Sequence, residues 1–175
     1  MVFRSFSRTT RTNWICRIQD GIAAALTRLN AIGAEAEHER NARLTSGPAT
    51  GPLLRTLLRL RHDIVLLGRV VGCELPQNVT ARLKPLTGNV EATVRDFLRG
   101  SATALRDQRP APALDAVELA FRNYLEAFGA VRREGLTRDM KSETAERFFA
   151  LGFALEQLRE HLFEVHRVVG EWAHG

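Results

Sequence analysis

Residues 148–172 read FFALGFALEQLREHLFEVHRVVGEW, and the spacing of the apolar residues in this stretch decides the fold class. Because an α-helix turns once in about 3.6 residues, apolar residues separated by alternating steps of three and four lie along one side of a helix. Ser142 can cap the start of this helix. The apolar positions are Phe148, Leu151, Leu155, Leu158, Leu162, Val165, Val169 and Trp172.

The same spacing recurs in four earlier segments of the chain. Helices are therefore predicted over residues 13–44, 52–72, 79–107 and 114–135, separated by glycine- and proline-containing connections. Their apolar residues are Ile15, Ile18, Ile22, Ala25, Leu29 and Ile32, then Leu53, Leu57, Leu60, Ile64, Leu67 and Val71, then Val79, Leu83, Leu86, Val90, Val94 and Phe97, then Leu114, Val117, Phe121, Tyr124, Phe128 and Val131. The second helix is apolar around most of its circumference, so we expect it near the centre. The sequence predicts an all-α fold, an antiparallel bundle of about five helices.

Length and charge bound the domain organisation. A chain of 175 residues predicts one domain, placed at residues 13–175. Residues 1–12 contain three arginines and no acidic residue, and they are predicted to be a disordered basic arm. The net charge is +5, so the arm carries +3 and the rest of the chain 5 − 3 = +2. A nearly neutral body argues against binding of nucleic acid, which usually requires a basic face on the folded domain.

Motifs of catalysis, metal binding and membrane crossing are not found in the sequence. Cys16 and Cys73 lack the spacing of metal ligands, and His161 and His166 fall on different sides of a helix. No nucleophile or phosphate-binding motif occurs, and no apolar run approaches the roughly 20 residues of a membrane-spanning helix. The sequence therefore predicts a non-enzymatic protein without cofactor or metal, soluble as an isolated chain.

Polar residues on the second predicted helix form the main candidate site. Arg55, His62 and Arg69 are seven residues apart and form a line opposite the apolar stripe, and Arg59 and Asp63 are spaced as an ion pair. One interpretation is an anion site or a surface that meets lipid phosphates. The other is a solvated face, or charges paired with acidic residues of a neighbouring helix, for which the candidates are Glu156, Glu160 and Glu164.

Aromatic side chains cluster in the last two helices. At helical spacing they are expected to belong to the core, and the alternative is a pocket for a small molecule. The residues concerned are Phe121, Tyr124, Phe128, Phe148, Phe149, Phe153 and Trp172.

Two stretches resemble a known family. Residues 57–69, LLRLRHDIVLLGR, are followed by Leu75-Pro76, and residues 132–138, RREGLTR, are followed by ERFFALGFALEQL at residues 146–158. Together they resemble the soluble helical region of bacterial FUSC-family proteins, the fusaric acid resistance and aromatic acid exporter-like proteins of the inner membrane. The resemblance covers roughly residues 15–173.

The resemblance implies an efflux-type membrane protein, with this chain on the cytoplasmic face of the bacterial inner membrane. Family members also carry a block of transmembrane helices, which this chain lacks, so no substrate-binding residue is carried over. The implied partner is that block or the membrane surface, with homo-oligomers left open. The matched polar residues Arg59, His62, Asp63 and Arg69 are predicted to pair internally or to dock on the membrane block, and Arg138 is a second docking candidate. Arg55, which precedes the matched stretch, completes the candidate cluster.

Two functions follow as expectations. The first is a helical domain that serves assembly or regulation of a membrane transport protein, which requires an exposed apolar surface for the partner. The second is a free-standing bundle that binds a ligand in a pocket between its helices.

Overall fold

Five α-helices follow one another in the structure, a computed structural model that describes residues 8–43, 49–70 and 75–173, with side chains described at 17–39, 49–70 and 75–173. No strand occurs in these ranges, which confirms the all-α prediction. The helices are α1 (Arg8–Arg43), α2 (Thr50–Val70), α3 (Gln77–Asp107), α4 (Asp115–Arg133) and α5 (Ser142–Ala173).

Consecutive helices are antiparallel. An ion pair between Arg82 and Glu134 joins the start of α3 to the end of α4, and Gly152 of α5 lies against the ring of Phe128 on α4. Helix α2 packs along α5 more extensively than any other two helices pack together. Among the described residues, α1 packs on α2 alone, so the helices lie in the order α1, α2, α5, with α3 and α4 beyond.

The hydrophobic core lies among α3, α4 and α5. All six predicted apolar positions of α4 are buried, as are six of the eight predicted for α5, because these stripes face one another across the three-helix interior. Helix α2 contributes only Leu60 to the buried cluster. The core residues of the three helices include Val79, Leu83, Val90, Phe97, Val117, Phe121, Tyr124, Phe128, Val131, Phe148, Leu155, Leu158, Leu162, Val165 and Val169.

The prediction of a central second helix was wrong. Helix α2 lies between α1 and α5 but outside the three-helix core, and its Leu58 is 45% exposed. Of the apolar side chains predicted for the stripe of α1 and described in the structure, Ile22 and Leu29 are partly buried, whereas Ile18, Ala25 and Ile32 are exposed. The side chain of Ile15 lies outside the described residues. A helix with a single neighbour buries a narrow stripe, which on α1 is centred on Leu26.

Helix ends differ from the predicted ends by a few residues. Helix α1 begins at Arg8, so residues 8–12, predicted as part of a disordered arm, are helical; residues 1–7 lie outside the described range. Helix α2 begins at Thr50, which keeps Pro52 in its first turn as expected. Ser142 is the first helical residue of α5 and not its cap, since the carbonyl of Lys141 already accepts the bond from Ala145.

Gly135 ends α4 as predicted. Its φ of +73° is left-handed, and its N–H donates to the carbonyl of Arg132 while the N–H of Leu136 donates to that of Val131. This pair of bonds defines a Schellman motif, which glycine forms without a Cβ clash. The motif turns the chain back toward α5.

Candidate docking surface and interhelical cleft

A buried carboxylate ties α2 to α5. Asp63 is 1% exposed, and its Oδ2 lies 2.5 Å from Nδ1 of His161. The bond orients the imidazole, since the carboxylate fixes which ring nitrogen faces it. Of the two interpretations of Asp63, internal pairing is what the structure shows, although the partner is His161 instead of the predicted Arg59.

The remaining members of the predicted cluster on α2 face solvent. Arg55, Arg59, His62 and Arg69, here named the basic row, are all exposed. The positive charge of Arg59 contributes to a lowered pKa of Glu164, after the larger effect of the hydrogen bond that Glu164 accepts from Arg167. One of the predicted acidic neighbours is thus close to the row, and it connects the row electrostatically to α5.

Arg138, the last member of the predicted cluster, is separate from the basic row. It is exposed in the turn between α4 and α5, where its side chain lies over Gly135. The structure therefore does not bring the six predicted residues together. It divides them into a buried residue, an exposed row on α2 and a lone turn arginine.

Three phenylalanines are exposed on the outer side of α5. Phe149, Phe153 and Phe163 are 43%, 61% and 39% exposed. At about 100° per residue they lie within about 80° of one another, over roughly 21 Å of helix. We name them the phenylalanine face. The expectation that Phe149 and Phe153 belong to the core was wrong, because both lie opposite the buried stripe.

The phenylalanine face is partly supported by neighbours. The guanidinium of Arg132 lies 5.2 Å from the centroid of the Phe149 ring, and Phe148 meets the same ring edge-on. Phe153, the most exposed of the three, adjoins Phe149 one turn along the helix. Through Glu164, whose pKa Arg59 helps to lower, the basic row lies close to α5, the helix that carries the phenylalanine face.

An apolar cleft of about 740 Å³ opens between α3 and α5, closed at one end by the last residues of α2. Its walls are mostly aliphatic, with Phe148 and Tyr124 as the aromatic contributions. We name it the interhelical cleft. Its apolar lining residues are Leu67, Val70, Leu75, Leu83, Val90, Val94, Phe148, Leu151, Leu155 and Leu158.

The polar groups of the cleft divide between floor and rim. On the floor, burial raises the pKa of the Tyr124 phenol, and the Thr87 side chain partly opposes the rise. On the rim, Arg95 bonds Glu91 and Arg147 bonds Glu143, each within its own helix. Lys84, exposed at the edge of the cleft, has no ion pair with any other described residue.

Sequence reasoning missed the pairing of Asp63 with His161 and the position of the cleft. The burial of Asp63 could have been predicted from its position, since it falls on the same face of α2 as Leu60 and Thr56, both of which are buried. No sequence pattern predicts the position of the cleft, because helix spacing indicates which side chains turn inward but not where two helices separate. The exposure of the phenylalanine face could have been predicted from the sequence, since its residues fall outside the three-four stripe.

Comparison of the chain with protein-family models, curated proteins and solved structures finds no match. In the part of the chain that the structure describes, no helix combines the length and apolar character needed to cross a bilayer. The same residues contain no group of three or more histidines, cysteines or acids arranged to hold a metal.

Proposed function

We propose that this chain is a non-enzymatic helical domain that docks on, and assembles or regulates, a membrane transport protein of the kind its sequence resembles. The observation that carries the proposal is the phenylalanine face. Large apolar side chains grouped on one side of a helix are typical of a surface that a partner covers. Aromatic residues are also enriched at the centres of protein interfaces.

The surroundings of the phenylalanine face support the same function. The basic row lies on α2, the helix packed along α5, and its exposed cations can steer a partner that carries acidic residues. Arg132, on the other side, already covers one ring. Under this proposal the partner is a block of transmembrane helices presenting an apolar and acidic cytoplasmic surface.

Co-expression tests the docking function. If a membrane-protein reading frame adjoins the gene, its product is expressed with the tagged chain, and the complex is recovered from detergent-solubilised membranes. We expect the double variant Phe149→Ser/Phe153→Ser to reduce recovery at least tenfold, while Leu119→Ser leaves it unchanged. Leu119 is a matched control, since it is 54% exposed but lies on α4.

The variants are expected to fold, because serine replaces side chains that already contact water. Circular dichroism of the purified chain checks this. Equal recovery of the wild-type chain and the phenylalanine variant, or the absence of any adjoining membrane-protein reading frame, would contradict the proposal.

A further inference from the structure

We propose that the interhelical cleft is a binding site for a single-chain anionic amphipath, with its acyl chain between α3 and α5 and its anionic head beside Lys84. This site lies on the inner side of α5, whereas the docking surface uses the outer side. The two functions are therefore separable.

The size of the cleft fits such a ligand. Its volume of about 740 Å³ is within the range of about 300–1,000 Å³ that small-molecule sites occupy. The lining of α5 runs from Arg147 to Leu158, which is about 16 Å of helix. With C–C bonds of about 1.5 Å, a methylene chain advances about 1.3 Å per carbon, so about twelve carbons span the wall.

The chemistry of the interior selects an unfunctionalised chain. The hydroxyl of Thr87 donates to the carbonyl of Leu83 and Tyr124 is buried, so the floor offers little to a polar substituent. A buried polar group on the ligand would lose its water without gaining a partner. Leucine and valine side chains, with Phe148, form most of the remaining walls, and burying a hydrocarbon chain against them is favourable.

The charge of the rim selects the head group. The arginines of the rim, Arg95 and Arg147, are neutralised by Glu91 and Glu143. Among the described residues, Lys84 is the one cation of the lining without an ion pair. One unbalanced cation beside an apolar cleft favours one negative charge at the end of the chain.

A series of head groups on one chain length tests the proposal. Dodecanoate, 1-dodecanol and dodecyltrimethylammonium are titrated into the full chain by calorimetry, below their aggregation concentrations. We expect dodecanoate to bind with a micromolar-range Kd, the alcohol more weakly and the cation most weakly. Absence of heat with dodecanoate up to 1 mM would overturn the proposal.

Charge and shape variants locate the bound molecule. Lys84→Glu should weaken dodecanoate about five- to tenfold and leave dodecanol unchanged, since a partly exposed pair contributes modestly. Lys141→Glu is the control, because it removes the other lysine of the chain and makes the same change in net charge away from the cleft. Val94→Trp places a large side chain in the cleft and should abolish binding of both ligands. Ala102→Trp, which lies outside the cleft, should leave binding unchanged.

Vesicles distinguish a free amphipath from a lipid surface. Sedimentation with phosphatidylglycerol vesicles is measured for the wild type, Lys84→Glu and Val94→Trp. We expect no loss of vesicle binding in either variant. Lys84-dependent vesicle binding without binding of monomeric dodecanoate, or equal effects of Lys84→Glu and Lys141→Glu on dodecanoate, would overturn the proposal.

Discussion

At the scale of single residues, Asp63 shows how a polar side chain can occupy an otherwise apolar helix face. Its carboxylate is almost fully removed from water, which is costly unless a hydrogen-bonded partner compensates. His161 supplies that compensation from α5. The pair therefore favours one register of α2 along α5, because sliding by one turn would separate the carboxylate from His161.

Removal of the histidine is expected to destabilise the protein strongly. His161→Ala leaves the Asp63 carboxylate buried without its partner, which costs about 3–5 kcal/mol for pairs of this kind. His62→Ala, at an exposed position of α2, should change the free energy of unfolding by less than about 0.5 kcal/mol. Urea denaturation measures both.

The double variant Asp63→Leu/His161→Leu provides the complementary control. If the pair acts through burial of its charge, replacing both partners should restore most of the stability lost in His161→Ala. A double variant as unstable as the single one would show that another interaction of His161 is responsible.

Tyr124 is a second residue with a measurable signature, because it is the only tyrosine of the chain. Burial raises the pKa of its phenol above the ordinary value of 10.0. The folded protein therefore holds this proton more tightly than the unfolded chain does. The stability that follows is complete below pH 10 and is lost as the pH rises beyond it.

The ultraviolet absorbance of tyrosinate follows this single group directly. We expect its titration midpoint in the folded protein to lie above 10.0, the ordinary value for tyrosine, and Thr87→Val to raise it further by removing a hydrogen bond that favours the ionised form. Tyr124→Phe should lessen the loss of stability at alkaline pH. A midpoint equal to that of free tyrosine in the folded chain would contradict the burial of Tyr124.

At the scale of elements, the apolar stripes predicted α3, α4 and α5 well because each of these helices has neighbours on both sides of its stripe. They predicted α1 less well, because a helix that contacts α2 alone buries only part of its apolar residues. The exposed line of Ile18, Ala25 and Ile32 is the consequence. Spacing alone does not reveal how many neighbours a helix has.

The close approach of α4 and α5 depends on Gly152. A Cβ built at this position would lie 2.7 Å from ring atoms of Phe128, whose ring stacks on Phe148 with centroids 4.1 Å apart. Gly152→Ala gains about 1 kcal/mol of helix propensity but forces this buried stack apart, at a cost of about 1–3 kcal/mol.

A second helical glycine serves as the control for this prediction. A Cβ at Gly88 meets no atom within 4 Å, so Gly88→Ala should raise the free energy of unfolding by about 1 kcal/mol. Urea unfolding should therefore rank Gly88→Ala above the wild type and Gly152→Ala below Gly88→Ala by about 1–3 kcal/mol. Equal effects of the two substitutions would contradict the tight contact between α4 and α5.

At the scale of the whole molecule, α5 has two different sides. Its inner side completes the core and one wall of the interhelical cleft, and its outer side carries the phenylalanine face. The sequence predicted the inner side from the three-four spacing. It did not predict the cleft, because the separation of α3 from α5 depends on how α2 and α4 are placed against them.

The two proposed functions both involve α5, so the proposals together predict that occupancy of the cleft affects docking. If an amphipath enters the cleft, it presses on the inner side of the helix whose outer side meets the partner. Both proposals concern α5, yet each has its own variants, so loss of one function leaves the other measurable.

Photo-crosslinking at Phe153 in living bacterial cells tests the docking function most directly. A benzoylphenylalanine at this position is expected to crosslink to a protein that mass spectrometry identifies as membrane-spanning, while the same substitution at Leu119 is expected to give no such product. Crosslinks of equal yield at both positions, or none at Phe153 in a chain that is expressed and folded, would contradict the claim that the outer side of α5 is a docking surface.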